Sequence, residues 1–212
     1  MPYKTVLILM RHGETRMNVR NVFRGRTDVP LNENGLRQAD RLAEALSGFS
    51  LRAVYSSPLV RAEATARAVA RRQGLEVRPM EEFHNISLGE WEGRGKEEIR
   101  ERSPELWDRW VHCPEDLAIP GGETLAQVRR RVRQGLDLLL ARHGGETAAV
   151  VTHRSVLKAA LAVILNLEGR YFWKFYLDNC SFSVVEHAPG VGFTIRRLNE
   201  SCHLESAVEE VF

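Results

Sequence analysis

Two short apolar runs in this chain end in the same way. Thr5 to Met10 is almost wholly apolar and stops at Arg11-His12-Gly13, and Thr147 to Thr152 is apolar and stops at His153. A run that is apolar at consecutive rather than alternate positions suits a strand covered on both faces. Such strands belong to sheets with helices on either side, where ligands bind outside the carboxyl ends of the strands. Two histidines placed just past two strand ends therefore converge on one pocket.

The intervening segments supply the helices. From Asn34 the positions Leu36, Ala39, Leu42, Ala43 and Leu46 follow helical spacing up to Gly48. Ala53 to Ser56 reads as a strand, Ser57-Pro58 as a break, Leu59 to Gln73 as a helix, and Glu76 to Arg78 as a third strand. After Gly121-Gly122-Glu123-Thr124 a long helix carries Leu125, Val128, Val132, Leu136 and Leu139 on one stripe, and Val156 to Ile164 forms a short apolar helix. Ser181 to Glu186 and Gly192 to Arg197 flank a Pro-Gly turn as a hairpin. The expected fold is an α/β three-layer sandwich, a mostly parallel sheet with an antiparallel edge strand and helices on both faces. Residues 80–120, with two short helices near Lys96 to Glu101 and Pro104 to Trp110, read as a cap or lid inserted into a single domain over residues 1–212.

Composition narrows the partners. With 43% hydrophobic and 27% charged residues the chain is neither disordered, fibrous nor membrane-like. A net charge of +2 does not favour nucleic acid or an acidic membrane, so any anion is bound locally. The arginines from Arg129 to Arg133 have no interleaved aromatics and read as a solvated helix face. Cys113, Cys180 and Cys202 are too few and too widely spaced for a disulfide framework or a zinc site. His84, His112, His143, His187 and His203 lack metal-ligand spacing among themselves. The apolar start is short for a signal peptide and no run reaches membrane-spanning length, which makes the cytoplasm the expected location. The hairpin edge and Tyr171-Phe172-Trp173 leave a homodimer open, although such aromatics more often pack inside.

Arg11-His12-Gly13-Glu14-Thr15 joins a forked, permanently charged donor to an imidazole, beside a glycine that lets backbone approach a ligand. It is accompanied by Asn18, by Ser56-Ser57-Pro58-Leu59 with Arg61, Ala62 and Thr65, and by Thr152-His153. The turn from Asn32 to Gly35, Gly89-Glu90-Trp91-Glu92-Gly93 and Gly121-Gly122-Glu123-Thr124 complete a pattern spanning nearly the whole chain. Together these residues resemble the histidine phosphatase superfamily, the phosphoglycerate-mutase-like proteins. From Asp178-Asn179 through Ser183 to Cys202-His203-Leu204 the tail is similar to the branch with metal-independent phosphoserine phosphatases.

The resemblance implies that His12 attacks phosphorus and becomes a phosphohistidine, with Arg11, Arg61 and His153 around the transferring group and no metal or other cofactor. Two arginines would neutralise a phosphomonoester of about −1.5 to −2 charges and hold the nucleophile neutral. Asn18 would add a neutral donor, and Arg24 beside Gly25 is a candidate substrate contact. His12 must have its other nitrogen tied, with the Gly13 carbonyl as the expected acceptor. The sequence departs from the family at Asn85, where a glutamate commonly protonates the leaving group, and at Arg154, where glycine commonly follows the second histidine. An amide can hydrogen-bond a leaving group but cannot protonate it. Either a nearby carboxylate substitutes, Glu82 being the first candidate, or poor leaving groups react slowly. The expected function is metal-independent hydrolysis of small phosphomonoesters, phosphoserine-like or other small acid phosphates. The alternatives are a phosphoglycerate mutase, or a phospho-ligand binding protein whose turnover was lost at Asn85.

Overall fold

The computed structural model describes residues 3–205. Strands β1 (Thr5–Arg11), β2 (Ala53–Ser56), β3 (Val77–Pro79), β4 (Thr147–Thr152), β5 (Phe182–Ala188) and β6 (Gly192–Glu200) form one sheet in the order β3-β2-β4-β1-β5-β6. The first four run parallel and β5 runs against both of its neighbours, so an antiparallel hairpin closes one side. The helices among the described residues are α1 (Arg16–Val19), α2 (Glu33–Ala45), α3 (Val60–Arg72), α4 (Lys96–Arg102), α5 (Pro104–His112), α6 (Leu125–Arg142) and α7 (Arg154–Ile164). None is long and apolar enough to cross a membrane.

The period of two along the central strands creates the layers. Leu7 and Leu9 of β1 and Ala148 and Val150 of β4 face the core shared with α6 and α7. Ile8, Met10, Ala149 and Val151 face the core shared with α2 and α3. Both faces are covered, which is why these strands are apolar throughout. The stripe expected on α6 is buried as a set, and its Thr124 cap closes a reciprocal pair with Gln127. Tyr171 and Phe172 are buried in the α6/α7 core, and Trp173 is half-buried against it.

On α2 the inward stripe is Gly35, Gln38, Ala39, Leu42 and Ala43, and Leu36 is exposed, contrary to its expected core position. Gly35 takes that place because the helix start lies against the backbone after His12. A Cβ on Gly35 would stand 2.1 Å from the Glu14 carbonyl oxygen. Close approach therefore sets the rotation of this helix, and Leu36 turns outward as a result. The register Arg11↔Thr152 places His12 and His153 side by side, with Ser56 and Ser57 continuing the same sheet edge. Residues 80–120 pack an aromatic group over this edge: Trp110 meets Phe23 at 5.5 Å, Trp91 at 6.0 Å and Trp173 at 5.3 Å between ring centroids.

Candidate active site

His12 continues the β1/β4 ladder by donating its backbone N–H to the Thr152 carbonyl at 3.0 Å. Its own carbonyl accepts from Asn179 Nδ2 at 3.0 Å and from the Cys180 N–H at 3.2 Å, so the backbone is clamped from both sides. The rings of His12 and His153 lie 5.1 Å apart, and both residues are buried. His12 Nδ1 is 2.6 Å from the Gly13 carbonyl oxygen. A carbonyl only accepts, so Nδ1 carries the proton and Nε2 keeps its lone pair. His153 Nε2 meets Ser57 Oγ at 2.8 Å, while His153 Nδ1 is buried without a partner.

Charge reinforces that tautomer. His12 is held well below the usual histidine range, first by burial and then by Arg61, Arg11 and Arg24. His153 is lowered in the same way, by burial, then Arg61, His12, His84 and Arg24. Arg11 and Arg61 form the buried floor: Arg11 donates to the Leu177 carbonyl at 2.7 Å, and Arg61 donates to the Thr27 and Gly25 carbonyls at 2.8 and 3.0 Å. Arg61 Nε has no partner. Burial, with the positive Arg24 and Arg11 nearby, brings Arg61 down to about 9, which leaves it charged at neutral pH.

Above this floor is a cavity of about 50 Å³ lined by His12, Arg24, Gly25, Asn85, His153 and Arg154 among the residues singled out from the sequence. Phe23, Lys96, Trp110 and Ser155 also line it and had not been singled out for the site. Lys96 is the first residue of α4 and is buried, a placement that its charged surroundings in sequence do not reveal. Arg11, Arg61, Asn18 and Glu82 do not line the cavity. Asn18 turns its Oδ1 to the Thr15 N–H at 2.9 Å and the Thr15 hydroxyl at 2.7 Å, closing the cap of α1. Glu82 lies with its Cβ against Gly135 of α6, and its carbonyl accepts from Arg131. It sits on the short 3-10 turn Glu81–Phe83 and does not line the cavity.

Asn85 is buried on the cavity wall, with Nδ2 donating to the Gly25 carbonyl at 2.6 Å. That bond fixes the amide orientation and leaves Oδ1 without a partner. The segment around it is organised by Arg131, which is bound by Glu123 at 3.0 Å and donates to the carbonyls of Glu82, His84 and Asn85. Arg129 and Arg133 likewise donate to the Leu167 and Val163 carbonyls, so much of the expected solvated arginine face is structural stitching. His203 reaches the Cys180 carbonyl at 3.0 Å and touches His12 only through that backbone.

A family model described as histidine phosphatase superfamily, branch 1, matches residues 7–201. Phosphoserine phosphatase 1 of Hydrogenobacter thermophilus is 38% identical over 198 residues, 93% of each chain. Among solved structures, YhfR of Bacillus stearothermophilus superposes with a TM-score of 0.90 at 33% identity, covering 95% of this chain and 100% of that one. A phosphoserine phosphatase of Entamoeba histolytica in complex with 3-phosphoglyceric acid superposes with a TM-score of 0.81 at 30% identity, covering 94% and 99%.

Proposed function

The chain belongs to the histidine phosphatase superfamily, and from that membership we propose that it hydrolyses small anionic phosphomonoesters through a phosphohistidine at His12. The observation that carries this reading is the Nδ1 bond to Gly13, which leaves Nε2 of a neutral imidazole as nucleophile above two buried arginines. Phosphoryl transfer asks mainly for positioning and for cations around the equatorial oxygens. Arg11, Arg61 and Arg24 supply those cations, and His153 Nδ1 is a further buried group for the phosphate. Turnover by this arrangement needs no metal.

Cavity size and charge support a small, anionic substrate. About 50 Å³ at roughly 10–15 Å³ per water is the space of about three to five waters, on the scale of the phosphate group itself. Lys96 and Arg154 on the wall favour an organic group that is itself anionic. Phosphoserine has that charge, in keeping with the names of the relatives. Residues 80–120 act in this reading as the cap that limits size. A second reading, phosphate binding without turnover, is favoured by Asn85 alone.

The test is phosphate release in chelator from a panel of small phosphomonoesters that includes aryl phosphates. Many phosphates released per chain, and none from His12→Ala, is the expected result. Full activity in His12→Ala would remove the nucleophile, and retained phosphate binding with no release from any ester would favour the second reading.

A further inference from the structure

Among the described residues, the wall of the cavity contains no carboxyl group. Next to His12 stand an amide, two arginines, a lysine, a serine and a second histidine. The amide cannot protonate a leaving oxygen: one Nδ2–H is held by the Gly25 carbonyl at 2.6 Å, and the remaining N–H and Oδ1 can only hydrogen-bond. The carboxylates nearby are engaged elsewhere. Glu92 Oε1 accepts the Leu88 N–H at 2.8 Å, Glu123 is bound to Arg131 and Arg26, and Glu82 lies off the cavity wall with its Cβ beside Gly135 of α6. His153 is neutral, and lysine, at ~10.4 in water, is a far weaker acid than a carboxyl at ~4.

We infer that this site acts on phosphoryl donors whose leaving oxygen departs as a stable anion, the aryl, enol and acyl phosphates, and works poorly on alkyl phosphates. The inference rests on the phosphatase reading and narrows its substrate class: small and anionic like phosphoserine, but with a resonance-stabilised leaving group. In the first step Nε2 of His12 forms the N–P bond while the P–O bond breaks, and the bonding pair leaves on the departing oxygen with no proton supplied. In the second step a water oxygen bonds to phosphorus as the N–P bond breaks. The pair returns to Nε2, and both water protons end on the released phosphate. The first step therefore depends on how well the leaving group holds its charge, which for a phenol is that of an acid at ~10 and for an alcohol one nearer ~16.

The experiment measures kcat/KM in chelator for aryl phosphates of graded phenol acidity, an enol phosphate, phosphoserine and 3-phosphoglycerate. A carboxyl acid typically contributes ~10²–10⁴-fold, so the aryl esters should exceed the alkyl esters by at least that order. Asn85→Glu, checked for folding by its melting temperature and by stabilisation with inorganic phosphate, should shrink the aryl-to-alkyl ratio. Alkyl esters within ~10-fold of aryl esters in the native protein would overturn the inference while leaving the phosphatase reading intact. An unchanged ratio in folded Asn85→Glu would also overturn it. If that variant does not fold, the series on the native protein still decides. No release from any ester, with no phosphohistidine, would instead remove the phosphatase reading itself.

Discussion

At the scale of single residues, chemistry is set by which hydrogen-bonding groups are already occupied. His12 is a nucleophile because Nδ1 is committed to Gly13, and it stays neutral because burial and three arginines oppose its protonation. Arg61 does two jobs, holding the Gly25 and Thr27 carbonyls and charging the floor. Arg61→Met should lower kcat by ~10²–10³-fold, the effect of losing one preorganised donor, and should also lower the melting temperature, because the Gly25 and Thr27 carbonyls lose their donor. Steady-state kinetics beside thermal unfolding checks this. The histidine pair was legible in the sequence, since each follows an apolar run ending at a sheet edge. Glu82 and Asn18 lie off the cavity wall, and both sit in or beside short turns, where side-chain direction has no period to read.

At the scale of elements, the loops above the sheet are held by a few buried contacts. Gly25 has φ +48°, and a Cβ there would stand 2.3 Å from Glu92 Oε1, itself fixed by the Leu88 N–H. Gly25→Ala should destabilise the protein by about 1–3 kcal/mol and raise KM, because Arg24 and the acceptor for Asn85 and Arg61 shift together. Denaturant titration and KM together test it. Arg131 ties α6 to the segment carrying Asn85, so Arg131→Met should cost about 2–4 kcal/mol by leaving the Glu82 and His84 carbonyls without their donor and Glu123 and the Asn85 carbonyl with Arg26 alone. A loss below ~0.5 kcal/mol would contradict that role. The regular elements were readable from periodicity and caps. The rotation of α2 was not, because it follows from the contact of Gly35 with the backbone after His12, which is distant in sequence.

At the scale of the whole molecule, two buried neutral histidines link the site to stability. The unfolded chain binds protons on both near the ordinary value of 6.5, whereas the native values lie well below it. Below 6.5 the unfolded state therefore binds more protons, and stability falls as pH drops toward the native values, by up to about 1.4 kcal/mol per pH unit for each histidine. Melting temperature should decline from pH 7 to 5, and bound phosphate should restore it. A flat profile would contradict the burial of neutral imidazoles. The same neutral His12 is the centre of the proposed chemistry, which rapid quench of the protein with an aryl ester labelled in its phosphoryl group tests most directly. The expected product is an acid-labile, base-stable label on His12 that chases into inorganic phosphate and is absent from His12→Ala. Rapid phosphate release with no label on His12, or with the label on another residue, would contradict it.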